Sequence, residues 1–135
     1  MILTDKVALV TGAGQGVGQG IALALAAEGA RVAIAGRTLE KLEQTCQLAR
    51  ERGGTAEPVQ CDVKSAASLE ACVDAVLNHF GALNILVNNA QEVPLGTLEQ
   101  VNDEQFVAGM ESGPLATFRL MKLCRPHLRD GGCVV

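Results

Sequence analysis

Thr11-Gly12-Ala13-Gly14-Gln15-Gly16-Val17-Gly18 separates an apolar run, Val7-Ala8-Leu9-Val10, from an Ala/Leu-rich segment, Ile21-Ala22-Leu23-Ala24-Leu25-Ala26-Ala27-Glu28, that ends at Gly29. The first run has the pattern of a buried strand. The second has that of a helix closed by a glycine C-cap. Four glycines at this junction leave the backbone without Cβ atoms, so the chain can turn sharply. A large anion can also approach the helix start, where free N–H groups and the positive dipole end suit a phosphate. A tight turn with no ligand would use the same glycines.

The rest of the chain repeats the order of strand and helix. Strand one is predicted at residues 7–10 and helix one at 19–28. Strand two follows at 31–35. Helix two begins after Thr38, an N-cap type, and runs to 52 before Gly53-Gly54. Strand three is predicted at 56–61. Helix three begins after Ser65 and runs to 80, closed by Gly81. Strand four, 84–87, ends in Asn88-Asn89. The strands are continuously apolar rather than alternating. That pattern requires burial on both faces, hence a parallel sheet with helices on either side. Right-handed crossovers then give a doubly wound α/β fold.

The next helix has a start legible from side chains alone. Asn102 and Gln105 form a capping box, and Val101 and Phe106 stand at the staple positions. Asp103 and Glu104 favour the dipole. Pro114 cannot donate to Met110 and its ring crowds that carbonyl, so a kink or break is expected at Gly113-Pro114. The helical pattern resumes over 115–128, with Pro126 near its end, and leaves an apolar face prone to aggregation. Gly131-Gly132-Cys133-Val134-Val135 starts a fifth strand.

At 135 residues the chain is read as one domain, 1–135. Apolar residues make up 48% and charged residues 19%, a globular composition. A net charge of −4 with no basic stripe argues against nucleic-acid and membrane-surface partners. No apolar run approaches the ~20 residues of a membrane-spanning helix. The N-terminus lacks signal-peptide form, and a cytoplasmic location is expected. Cys46, Cys61, Cys72, Cys124 and Cys133 are scattered and odd in number, which fits core or half-buried thiols better than a metal set or disulfides. His79 and His127 read as surface residues near helix C-termini.

Thr11-Gly12, Gly16 and Gly18 spell T-G-x-x-x-G-x-G, and Asn88-Asn89-Ala90 follows strand four. On these motifs the chain resembles the short-chain dehydrogenase/reductase family from Lys6 to Val135. The resemblance implies a Rossmann-like doubly wound parallel sheet, truncated after the start of the fifth strand and so incomplete at its C-terminus. The chain is expected to be the N-terminal part of a longer protein. It also implies hydride transfer between NADP(H) and an alcohol or carbonyl substrate in the complete enzyme, with a homo-oligomer formed through the long fourth helix and the helix after it.

The cofactor residues implied are Gly12, Gly14, Gln15, Gly16, Val17 and Gly18 in the loop, with Arg37, Asp62, Val63, Asn89 and Ala90 around it. An acid often ends strand two in such folds and binds the ribose 2′-OH. Gly36-Arg37 stands there instead, and a guanidinium suits a 2′-phosphate. This favours NADP, with NAD as the alternative. Gln15 counts the other way, because many NADP-preferring relatives carry a basic residue in the loop. Asp62-Val63 is expected against the adenine ring. Asn88 and Asn89 are expected to brace the sheet and reach the ribose.

Two positions depart from the family pattern. Gln91 replaces the last glycine of N-N-A-G, and Gly113 stands where the catalytic asparagine of the long helix is usual. A larger gap is the active site. The family uses a Ser, and a Tyr and Lys in a Y-x-x-x-K helix; the phenol, with pKa near 10, must be tuned to trade protons at neutral pH. The chain has no tyrosine, so no catalytic residue is assigned in it. The expectation is an NADP-dependent oxidoreductase as full-length protein. The alternatives are a non-catalytic NADP-binding relative and a fragment that does not fold stably.

Overall fold

The computed structural model describes residues 1–129 and 131–135. Residues of both parities in the first strand, β1 (Val7–Thr11), are fully buried, which decides the architecture. Val7 and Leu9 face one layer, and Ala8 and Val10 face the other. The chain then alternates through α1 (Gly16–Ala27), β2 (Arg31–Gly36), α2 (Leu39–Glu51), β3 (Thr55–Gln60), α3 (Ala66–Phe80), β4 (Ile85–Val87), α4 (Asp103–Met110), α5 (Ala116–Cys124) and β5 (Cys133–Val134). The sheet is parallel in the order β3-β2-β1-β4-β5. The Rossmann-like α/β fold expected from the sequence is the one observed.

Two cores flank the sheet. On one face Val7, Leu9, Ala33 and Ala35 pack against Leu69, Cys72 and Val76 of α3 and Leu120 and Cys124 of α5. On the other, Ala8, Val10, Val32 and Ile34 pack against Ala22 and Ala26 of α1 and Leu42, Cys46 and Ala49 of α2. Fully burying one such Val, Leu or Ile side chain stabilises by about 1.5–3 kcal/mol. The small residues of α1 let its axis lie close to β1.

β3 is an edge strand, and this explains its proline. Cys61 N–H donates to Gly36 O at 2.8 Å, so alternate residues of β3 face β2 and the Pro58 nitrogen faces outward. Ser65 caps α3 through the Ser68 N–H at 3.2 Å, and Gly81 closes it in a left-handed conformation, φ 74°. The capping box at α4 is formed: Gln105 N–H donates to Asn102 Oδ1 at 2.8 Å, and Asn102 N–H to Gln105 Oε1 at 2.9 Å. Thr38 stands at the N-cap of α2 but its hydroxyl caps nothing.

Several expectations need correction. α1 starts at Gly16, not residue 19, so the last two loop glycines belong to its first turn. β1 runs on through Thr11, and β3 begins and ends one residue earlier than predicted. Gly113-Pro114 does not break the helix. A π-helical turn, Glu111–Leu115, joins α4 to α5, and Ala116 N–H donates back to Glu111 O. Inserting one extra residue in the turn absorbs the missing donor of Pro114 and keeps the helix continuous. The later part ends sooner than residue 128, in a 3₁₀ turn, Arg125–His127, with Pro126 at its start. β5 is exposed along with Cys133, which was expected among the buried or half-buried thiols. Among the described residues it is a two-residue edge strand paired with β4.

The other four cysteines are buried and free. Burial pushes the Cys46 thiol up to about 11 and Cys124 to about 12, so both stay protonated at neutral pH and pack as small apolar groups. The described residues contain no group of three His, Cys, Asp or Glu placed to hold a metal. Among the described residues no helix is long and apolar enough to cross a membrane.

Candidate functional site

Because β1→β2 and β3→β4 cross over in opposite directions, the strand order reverses between β1 and β4, and a crevice opens at their carboxyl ends. A cavity of about 360 Å³ lies there. All of Gly12, Gly14, Gln15, Gly16, Val17, Gly18, Arg37, Asp62, Val63, Asn89 and Ala90 line it. Residues from four βα junctions thus meet in one place. Gly113 does not line it, but its neighbour Ser112 does.

The four loop glycines have different reasons to be glycine. A Cβ on Gly12 would sit 2.9 Å from both Ala90 Cα and Asn89 Nδ2, and its φ is +64°. A Cβ on Gly18 would overlap Gly12 O and Asn89 Nδ2. These two let the loop press onto the end of β4. Gly14 makes room for α2, since its Cβ would lie 3.0 Å from Lys41 Cβ. Gly16 has φ +58° with nothing within 4 Å of an added Cβ. Only there does the glycine leave open space at the helix start. No side chain caps that start: Gln15 is the N-cap and makes no capping bond. The first-turn N–H groups of Gly16, Val17 and Gly18 therefore have no intrahelical acceptor.

Thr11 and Asn89 fix the loop from below. The buried Thr11 hydroxyl accepts from Asn89 N–H at 3.1 Å and Ala90 N–H at 3.0 Å, and donates to Val87 O at 3.4 Å. The Asn89 amide donates to Thr11 O at 3.0 Å and Gly12 O at 3.2 Å. Asn89 thus braces the loop with the group that was expected at the ribose. Asn88 extends the sheet, its N–H donating to Val135 O at 2.8 Å. Asp62 closes an Asx turn by accepting Lys64 N–H at 3.0 Å, and its own N–H donates to Ser68 Oγ at 2.9 Å.

Of the charged rim, Arg37 was singled out from the sequence and Lys64 and Glu92 were not. Glu92 Oε1 lies 3.1 Å from Arg37 Nη1 and 2.8 Å from Lys64 Nζ. One carboxylate therefore bridges the ends of β2 and β3 from the segment after β4. Glu92 N–H donates to Ser112 Oγ at 2.8 Å, which ties the same segment to the π turn. The hydrogen bond from Lys64, aided by the Lys64 and Arg37 charges, holds the Glu92 carboxyl below its usual range, and the same hydrogen bond to Glu92 holds Lys64 above its own. A lowered carboxyl value means the bridge is complete at neutral pH and is lost only as pH falls through that value, below the ordinary 4.5. Carbon-detected NMR titration of the Glu92 side chain is expected to give a midpoint below 4.5; a midpoint above it would rule out the bridge.

The two departures from the family pattern face each other. A Cβ on Gly113 would lie 3.1 Å from Gln91 Nε2 and 3.3 Å from its Cδ. The Gln91 side chain thus fills the space into which a side chain at 113 would extend. Neither position alone could signal this from the sequence.

Fold and crevice together define an α/β protein of the Rossmann-like, doubly wound class. The sequence model of the short chain dehydrogenase family matches residues 6–135, and the chain belongs to that family. A putative ketoacyl reductase from Streptomyces coelicolor is 39% identical over 118 residues, covering 87% of this chain and 45% of the relative. A short-chain dehydrogenase from Burkholderia cenocepacia, solved with NADP, superposes with TM-score 0.93 at 32% identity, over 99% of this chain and 55% of its own. A 7α-hydroxysteroid dehydrogenase, solved with NADH and 7-oxo glycochenodeoxycholic acid, gives TM-score 0.87 at 30% identity, over 93% and 49%. The chain spans about half the length of these relatives.

Proposed function

We propose that the chain is the cofactor-binding domain, residues 1–135, of an oxidoreductase that moves hydride between NADP(H) and an alcohol or carbonyl substrate. The observation that carries this reading is the uncapped, glycine-lined start of α1 with Arg37 at the end of β2. The first-turn N–H groups of Gly16, Val17 and Gly18 would hold the pyrophosphate. Arg37 would take the 2′-phosphate, and Asp62 with Val63 the adenine. Ala90 would line the ribose, on the loop braced by Asn89. The bound nicotinamide supplies the hydride. One similar structure holds NADP and another NADH, so the preference for NADP rests on Arg37 and on a glycine, Gly36, in place of an acid at the end of β2.

A second reading is a non-catalytic NADP-binding relative. The packing of Gln91 against Gly113 favours it, because no amide at 113 is available for a proton relay. A Ser and a Y-x-x-x-K encoded beyond residue 135 in the native transcript would decide for the enzyme. Phe106, Met110 and Phe118 are exposed along α4 and α5, and this face would serve a homo-oligomer. The free cysteines suit a reducing cytoplasm.

The test is a titration of the purified chain with NADPH and with NADH, followed by cofactor emission. The chain has no Trp or Tyr to interfere. Saturable binding with NADPH about tenfold tighter than NADH is expected, one charge-assisted contact being worth roughly that factor. Tighter binding of NADH would overturn the assignment of NADP.

A further inference from the structure

We infer that Lys41 is a specificity-determining residue, supplying with Arg37 a two-cation clamp for the 2′-phosphate of NADP(H). The inference rests on the NADP reading above and adds to it a residue that does not belong to the glycine loop.

Lys41 lies on the first turn of α2, four residues after Arg37, and lines the same cavity. Its Nζ donates to Gln15 Oε1 at 2.7 Å. An ammonium group therefore stands beside the glycine loop, at a position where the loop itself offers only a neutral amide. This approach is built in. Gly14, without a Cβ, lets the Lys41 Cβ come close, and Gly36 does the same for Leu42, whose Cδ2 would lie 2.9 Å from a Cβ there. The two glycines seat the start of α2 against the ends of β1 and β2.

Charge balance separates Lys41 from the other cations of the cavity. Arg37 and Lys64 share the Glu92 carboxylate. Lys41 has no carboxylate within ion-pair distance among the described residues, and Gln15 accepts its hydrogen bond without neutralising it. An ammonium held by a neutral acceptor keeps its full attraction for an anion. A phosphate monoester carries nearly two negative charges at neutral pH and binds best where more than one cation converges. Arg37, half-occupied by Glu92, provides a planar fork; Lys41 provides the uncompensated point charge. A ribose 2′-OH gains little from either, so the pair acts on the difference between NADPH and NADH.

The experiment is calorimetric titration of the full chain with NADPH, NADH, 2′,5′-ADP and 5′-AMP, in wild type, Lys41→Gln and Lys41→Arg. Far-UV circular dichroism of each variant confirms an unchanged fold. Lys41→Gln is expected to weaken NADPH and 2′,5′-ADP about tenfold, one charge-assisted phosphate contact, and to leave NADH and 5′-AMP within about twofold. Lys41→Arg is expected to restore most of the loss. Equal weakening of all four ligands by Lys41→Gln would show that Lys41 only props the loop, and would overturn the inference. Unchanged 2′,5′-ADP binding would overturn it too. Wild-type protein that prefers NADH would instead overturn the NADP reading itself, which separates the two failures.

Discussion

Gly18→Ala is expected to abolish saturable NADPH binding and to lower the unfolding free energy by about 3 kcal/mol. An added Cβ there overlaps the Gly12 carbonyl and the Asn89 amide, with Gly12 C only 2.8 Å away. These atoms cannot yield independently. Asn89 is held by its bonds to Thr11 O and Gly12 O, and Gly12 is held in a left-handed turn against Ala90. The substitution must therefore lift the loop off β4 or displace the start of α1. Either movement misplaces the first-turn N–H groups proposed to hold the pyrophosphate. Alanine in a helix interior is otherwise favoured over glycine by about 0.5–1 kcal/mol, so steric overlap and propensity act in opposite directions here. Gly20 supplies the control. It lies two residues further along α1 with nothing within 4 Å of an added Cβ, and Gly20→Ala is expected to stabilise by about 0.5–1 kcal/mol. Urea denaturation followed by far-UV circular dichroism measures both. Equal stability of Gly18→Ala and wild type would refute the packing of the loop on Asn89.

Thr11→Val is the second large effect, a loss of about 2–4 kcal/mol with side-chain shape nearly unchanged. The Thr11 hydroxyl is buried and is the acceptor for two consecutive N–H groups, those of Asn89 and Ala90. Valine leaves both half-buried donors facing an apolar side chain, and an unpaired donor costs about 1–3 kcal/mol. Thr11→Ser keeps the oxygen and gives up one methyl, so its loss is expected to stay near about 1 kcal/mol. The ordering, valine well below serine, is the result to look for in the same denaturation series. If valine and serine variants are equally stable, the hydroxyl does not hold β1 to the chain after β4. Affinity for NADPH should fall with Thr11→Val as well, since Ala90 and the loop then lose their common anchor.

Where the sequence was legible, the reason is local. Burial of both parities in β1 and β2 reads directly as apolar residues at successive positions, and this requires two helical layers and a parallel sheet. The Asn102–Gln105 capping box spans three residues, and both of its hydrogen bonds form as the types dictate. The glycine spacing located the crevice, because the turn it permits ends β1 and starts α1 whatever surrounds it. Where expectation and structure part, a distant segment intervened. Pro114 predicts a kink or break by local rules, yet a π turn carries the helix without a break into α5, whose Leu120 and Cys124 are fixed in the core against α3.

The amino-acid order alone thus settled the architecture, the position of the crevice and most of the residues around it. It could not settle which charges meet there. Arg37 and Glu92 are 55 residues apart, and Lys41 and Gln15 are 26 apart. Nor could it show that Gln91 lies against Gly113, so that two departures from the family pattern occupy one space. Periodicity and turn chemistry act between neighbours in the chain and so can be read along it. Ion pairs and side-chain fit act between neighbours in space, and those exist only once the crossovers have brought the strand ends together.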